Sequence, residues 1–122
     1  MPTRLVHLVV DAAEPARLAR FWAALLDVQV DSNIGDGQFI VLSATSDGLV
    51  VGFQQVPEAK AGKNRVHLDL VVEDLDASTA EIEQLGGSWL EPGNTRELEG
   101  FQWRCMADPD GNEFDIDILP AG

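Results

Sequence analysis

The chain has 122 residues, 45% hydrophobic and 24% charged, enough for one ordinary domain with its own core. Its formal net charge of -13 argues against binding to phosphate backbones or anionic membranes, because no basic stripe is present to displace counterions. No apolar run approaches the roughly 20 residues that span a bilayer.

The opening stretch, MPTRLVHLVVDAAEP, reaches an acid and a proline too early for a signal peptide, so a cytoplasmic protein is expected. From there the chain repeats itself. LVHLVVDAAEPARLARFWAALLD (5–27) and RVHLDLVVEDLDASTAEIEQLGG (65–87) align at an offset of 60 without gaps, so Val6, His7 and Leu8 fall on Val66, His67 and Leu68. Each copy reads as a strand, an acidic turn and a helix. In the first helix Leu18, Phe21, Trp22, Leu25 and Leu26 make one apolar stripe, and Pro15 suits a first helical position. Phe21 and Trp22 are expected between helix and sheet. In the second helix Asp74 is the expected N-cap, Leu75, Ile82 and Leu85 face the core, and Gly86-Gly87 ends the helix.

Three short strands are predicted after each helix: 28–32, 37–44 and 49–56 in the first copy, 88–91, 100–107 and 112–119 in the second. Turn signals separate them at Gly35-Asp36-Gly37 and Ser46-Asp47-Gly48, then at EPGNTRELEG and DPDG. The reading is one α+β domain over 1–122, built from tandem βαβββ repeats at 4–56 and 65–119 with a linker at 57–64.

Strand parity then sorts the faces. Val6, Leu8 and Val10 oppose His7 and Val9; Val66, Leu68 and Leu70 oppose His67 and Asp69; Phe114, Ile116 and Ile118 oppose Glu113, Asp115 and Asp117. The apolar faces suit contact with helices, and the polar faces converge on the other side of the sheet. The alternating acids are either a solvated face or the lining of a site, in which an acidic pocket would concentrate cations. The single Cys105, in the apolar-leaning FQWRCMAD, is expected as a buried structural thiol, and the lack of a partner cysteine suits a reducing compartment. No nucleophile elbow, phosphate loop or Cys-x-x-Cys pair occurs in the sequence.

VHLVV…ARLARFWAALLD, VHLDLVVEDL and DPDGNEFDID, together with the repeat, resemble the vicinal oxygen chelate superfamily of glyoxalase I, extradiol dioxygenases and bleomycin-resistance proteins. The small glyoxalase-like domains with FWAALL and GNEF signatures are the nearest in pattern. The resemblance implies a curved mixed sheet around a cup, with the helices on its convex face. It also implies metal ligands at four equivalent strand positions, two in each repeat. His7 and His67 match the first pair. Asp115, four residues after Gly111, stands where the family usually has glutamate, and the matching position after Gly48 is Gly52.

The set implied is therefore His7, His67 and Asp115, two imidazoles and a carboxylate with open positions, suited to Fe(II), Mn(II), Zn(II) or Ni(II). An empty, metal-free cup is the other implication. Asp69 is placed to orient a ligand or simply to keep the site acidic. Glu113 and Asp117 are candidate proton shuttles whose pKa neighbouring acids raise, or else rim charges. Phe101 and Trp103 belong either to the cup or to the core, with Arg104 on the face opposite Trp103.

Two functions follow from the resemblance. One is a metal-dependent lyase, isomerase or dioxygenase acting on a small oxygenated substrate. The other is a metal-free protein that binds or sequesters a small ligand, as drug-resistance relatives do. Glyoxalase I activity itself is not expected, because its full four-ligand set is absent. A homodimer is the expected assembly.

Overall fold

The computed structural model describes residues 2–120, in two units that meet in sequence between Ala59 and Lys60, inside the expected linker. The first unit runs β1 (Leu8–Ala12), α1 (Pro15–Leu26), β2 (Val30–Ile34), β3 (Phe39–Leu42) and β4 (Val51–Gln55). Its sheet has the order β1-β4-β3-β2, with β1 parallel to β4 and the other neighbours antiparallel. Pro15 opens α1 because its missing N–H would have no helical partner there. The helix buries Leu18, Ala19, Phe21 and Trp22, and the two rings meet edge to face at 5.3 Å. Its stripe lies against β3 and β4, which bury Ile40, Leu42, Val51 and Phe53. Each such side chain contributes about 1.5–3 kcal/mol on leaving water.

The second unit runs β5 (Leu68–Val71), α2 (Leu75–Gln84), β6 (Ser88–Trp89), β7 (Arg96–Leu98), β8 (Phe101–Ala107) and β9 (Glu113–Ile118). Its sheet has the order β5-β9-β8-β6, with β5 parallel to β9 and β7 paired to β8 outside that path. Asp74 caps α2 by accepting from the Ala77 N–H at 3.1 Å. At the other end the Gly87 N–H donates to the Ile82 carbonyl, and Gly86 takes φ 103°, a conformation costly for other residues. Ile82 is buried with Phe114 and Ile116, whereas Leu75 and Leu85 are half-buried.

The two strand orders match once β7 is set aside: β1-β4-β3-β2 corresponds to β5-β9-β8-β6. The duplication read at an offset of 60 is thus present as a topology, and the α+β class with mixed sheets stands. The bounds of the six strands predicted after the helices shift by no more than two residues.

Two differences are larger. Both first strands begin one residue after their histidine, so Val6 and Val66 do not turn inward and are 56% and 72% exposed. EPGNTRELEG is not only a separator, since it contains β7. Glu99 and Gly100, at φ 49° and 90°, form a two-residue hairpin turn that pairs Leu98 with Phe101. Among the described residues the first unit has no strand equivalent to β7.

Candidate metal and ligand site

The parallel register of β5 on β9 pairs Asp69 with Asp115 and Val71 with Asp117. Because Phe114 and Ile116 are buried, alternation sends Asp115 and Asp117 to the opposite face of the sheet. His67 immediately precedes β5. Its Nε2 lies 3.2 Å from Asp69 Oδ1 and 3.5 Å from Asp115 Oδ2. One ligand atom from each of the three residues falls within 4.8 Å of the others.

These residues fit a divalent ion. Two ligand atoms bound at about 2.1 Å stand about 3.0 Å apart at right angles and about 3.4 Å apart at the tetrahedral angle. The two His67 distances lie close to those values. One imidazole and two carboxylates form a mixed N/O set suited to Mn, Fe, Ni or Zn.

The three line a cavity of about 730 Å³ within the second unit, a size that suits a small molecule. Strand β8 supplies its other wall. Phe101, Trp103 and Cys105 share one face of that strand and line the cavity, with Leu98 of β7 beside Phe101. Across the sheet Trp103 is in register with Asp117, and Cys105 with Asp115. The open question about Phe101 and Trp103 is settled in favour of the cavity.

Arg104, on the opposite face, is buried. It donates to Thr79 Oγ1 at 2.9 Å and Asp76 Oδ1 at 2.7 Å, and its guanidinium lies 4.1 Å from the centre of the Trp89 ring. Its acidic partner is therefore on α2 and not on the cavity face.

Charge within the cavity is unevenly compensated. Lys63 Nζ lies 2.7 Å from Glu113 Oε2, and the Asn64 N–H donates to Glu113 Oε1 at 3.3 Å. Arg96 is held by Glu91 through two hydrogen bonds of 2.8 and 2.7 Å. His67 is the cation in direct contact with Asp69 and Asp115, while Arg96 offsets the Asp115 charge from farther away.

Burial raises the Asp115 pKa, opposed by His67 and reinforced by Asp69. Burial and then the Asp69 charge and hydrogen bond push Asp117 up to about 6. Asp117 Oδ1 is buried and has no hydrogen-bond partner. Burial and the Asp115 charge raise the Cys105 thiol to about 11, so it stays protonated at neutral pH.

The two candidate proton shuttles thus part company. The hydrogen bond from Lys63 holds Glu113 below the ordinary carboxylate range, which corrects the expectation that neighbouring acids raise it. The Asp117 pKa is raised, by burial first and by the neighbouring acid Asp69 after it. Cys105 is half-buried on the cavity wall and not the core thiol expected. His7 is exposed just ahead of β1.

Register confirms that Gly52 occupies the place of Asp115, because Val9 pairs with Gly52 as Asp69 pairs with Asp115. Sequence reasoning undervalued Asp69. The signal was its alignment with Val9, an acid replacing an apolar residue in otherwise matching strands. Glu91, Arg96 and Leu98 went unnoticed because they flank or form the unforeseen β7, and Lys63 because it lies in the linker.

Paired βαβββ modules, one bearing a histidine and carboxylates on its exposed sheet face, define the vicinal oxygen chelate class. The chain belongs to the glyoxalase-like domain family, whose model matches residues 7–116. Among solved structures it is similar to "Oxidase ChaP-H2", with 25% identity and a TM-score of 0.71 over 100% of this chain and 98% of the other. It is also similar to a fosfomycin resistance protein, FosX, from Listeria monocytogenes, in an E126Q mutant complexed with Mn(II) and 1S,2S-dihydroxypropylphosphonic acid. That likeness has 15% identity and a TM-score of 0.77 over 98% and 92% of the two chains. A glyoxalase/bleomycin resistance protein/dioxygenase family enzyme from Burkholderia phytofirmans PsJN matches at 15% identity and a TM-score of 0.76, over 93% and 97%. The last two likenesses are of fold alone. No curated protein sequence matches the chain.

Proposed function

We propose that this single-domain protein holds a divalent metal through His67, Asp69 and Asp115 and acts on a small oxygenated substrate in the adjoining cavity. The reaction class is that of a metal-dependent lyase, isomerase or dioxygenase. The observation that carries the reading is the convergence of three ligand atoms within 4.8 Å on the wall of that cavity. Mn(II) in the FosX complex supports a metal on this fold. When bound, the ion would hold adjacent substrate oxygens and stabilise charge developing on one of them.

The chain's own residues do the rest. Phe101 and Trp103 orient an apolar body against β8. Asp117, a carboxylate that Lys63 does not hold, is the one that meets a proton-donating group of the substrate. Glu113 is left out of proton transfer by Lys63.

A second reading has its own support. The first module carries Val9 and Gly52 where the second carries Asp69 and Asp115, so two of the three positions lack a ligating side chain there. That suits a metal-free protein that binds or sequesters a small ligand.

Anaerobic loading with Fe(II), Mn(II), Zn(II) or Ni(II), followed by elemental analysis and calorimetry, separates the two. The enzyme reading expects about one metal per chain. His67→Ala should abolish binding, and Asp69→Ala and Asp115→Ala should each weaken it by at least roughly ten-fold. Glu113→Ala should leave it intact. His7→Ala tests the remaining candidate ligand from the sequence, and full stoichiometry there leaves the other three sufficient. Equal, weak binding by wild type and His67→Ala would overturn the metal site.

We also propose a cytoplasmic homodimer. The free thiol of Cys105 suits a reducing compartment, and exposed apolar side chains such as Val30 and Ile34 on the edge strand β2 suit a partner. Light scattering should return twice the 13.2 kDa of one chain. A monomer mass at micromolar concentration would sink the dimer.

A further inference from the structure

We infer that the ligand of this cavity carries an ammonium group on an apolar, planar body, with the ammonium seated on Asp117 beside Trp103. The inference rests on the site reading above and names the class of molecule that the site takes.

Charge decides the head group. Two basic side chains besides His67 line the cavity, and both are engaged: Lys63 by Glu113 and Arg96 by Glu91 in a two-point contact. An entering carboxylate or phosphonate meets Lys63 and Arg96 already held by glutamates among the described lining residues. It meets Asp69, Asp115 and Asp117, with His67 the one lining cation that no glutamate holds. A dication on His67, Asp69 and Asp115 does not remove this bias, because Asp117 stands outside that group.

Asp117 also has an unmet need. Its Oδ1 is buried and accepts no hydrogen bond, a state that costs free energy until a donor arrives. An ammonium offers three donors and a charge to match.

The surroundings of Asp117 fix the rest of the molecule. Trp103 is its cross-strand neighbour, so the two side chains start about 5 Å apart on the same face. A cation held between a carboxylate and an indole gains from both. Beyond Trp103 along β8 lies Phe101, paired with Leu98 of β7, and both line the cavity. That end offers apolar surface and suits a flat hydrocarbon body. The cavity therefore runs from an apolar end at Leu98 and Phe101 to an acidic end at Asp117, Asp115 and Asp69.

Three near-isosteric probes test this: phenethylamine, 2-phenylethanol and phenylacetate, titrated calorimetrically at mildly alkaline pH and low ionic strength. Each is run on chelator-treated and on Mn(II)-loaded protein. The expected order in both forms is amine, alcohol, acid, with the amine favoured over the acid by at least roughly ten-fold. Asp117→Asn should bring amine and alcohol together while leaving the alcohol unchanged. Phe101→Ala should weaken both in the same proportion.

Equal or tighter binding of phenylacetate, or no saturable heat with phenethylamine in either form, overturns the inference. A preference for the amine that survives Asp117→Asn overturns the seat. The probe series on the wild-type protein carries the test even if that variant does not fold. Failure of the metal reading is separately visible as a lack of stoichiometric Mn(II) uptake, and an amine preference in chelator-treated protein stands apart from it.

Discussion

Asp117 shows how one residue can be costly to the fold while serving the function proposed for the site. Its folded-state pKa of about 6 lies above the ordinary 3.8, first because of burial and then because of Asp69. The folded state therefore resists the ionised form. That cost is present in full above the raised value, shrinks as pH falls from 6 toward 3.8, and is gone below. In chelator-treated protein, Asp117→Asn should accordingly raise stability at neutral pH by about 1 kcal/mol, a figure discounted for solvent screening. The gain should fade toward pH 4, as followed by denaturant melts across the pH range. A variant equally stable to wild type at pH 7.5 would remove the burial argument. Asp115 and Asp117 were legible in the sequence because strict alternation after the DPDG turn fixes their face, and His67 because the repeat sets it against His7. The divergence of Glu113 from Asp117 was not, because it depends on Lys63, 50 residues away in the chain. Such a contact leaves no trace in local spacing.

Among the elements, β4 and β9 are the informative pair, because the same topology carries a carboxylate in one and no side chain in the other. On β9 the place is Asp115; on β4 it is Gly52, where a Cβ would stand 3.3 Å from Cζ of the Phe39 ring. The ring fills the space that a side chain would take. Gly52→Ala should be close to neutral, within about 1 kcal/mol, because a ring tip can yield by a few tenths of an ångström while the unfolded chain loses freedom. Gly52→Glu must displace the ring and should cost about 1–3 kcal/mol, part of which Phe39→Ala in the same chain should return. Denaturant unfolding reads both; a freely tolerated glutamate would show that Phe39 does not fill the position. The helices and turns were readable for local reasons: the apolar stripe of α1, the Asp74 cap and the glycine after α2. Strand β7 was not, since its three residues are all exposed and its turn depends on Glu99 adopting φ 49°. Glutamate at that place gives no warning.

For the whole molecule, charge and assembly oppose each other. Each chain carries -13, and a second copy brings the same sign, so the proposed homodimer forms against long-range repulsion. Apolar contact works in the other direction: Leu5, Val30, Ile34, Val66 and Leu98 are each more than half exposed. The area term barely responds to moderate salt, whereas the repulsion falls once the Debye length drops to about 8 Å near physiological ionic strength. Association should therefore tighten as salt rises from low to physiological concentration, the reverse of an interface held by ion pairs. Light scattering over a dilution series at several salt concentrations should show the dimer persisting to lower protein concentration in the higher salt. A chain that associates at low salt and dissociates as salt is added would mean that opposite charges join the copies, and the apolar account of the dimer would fall.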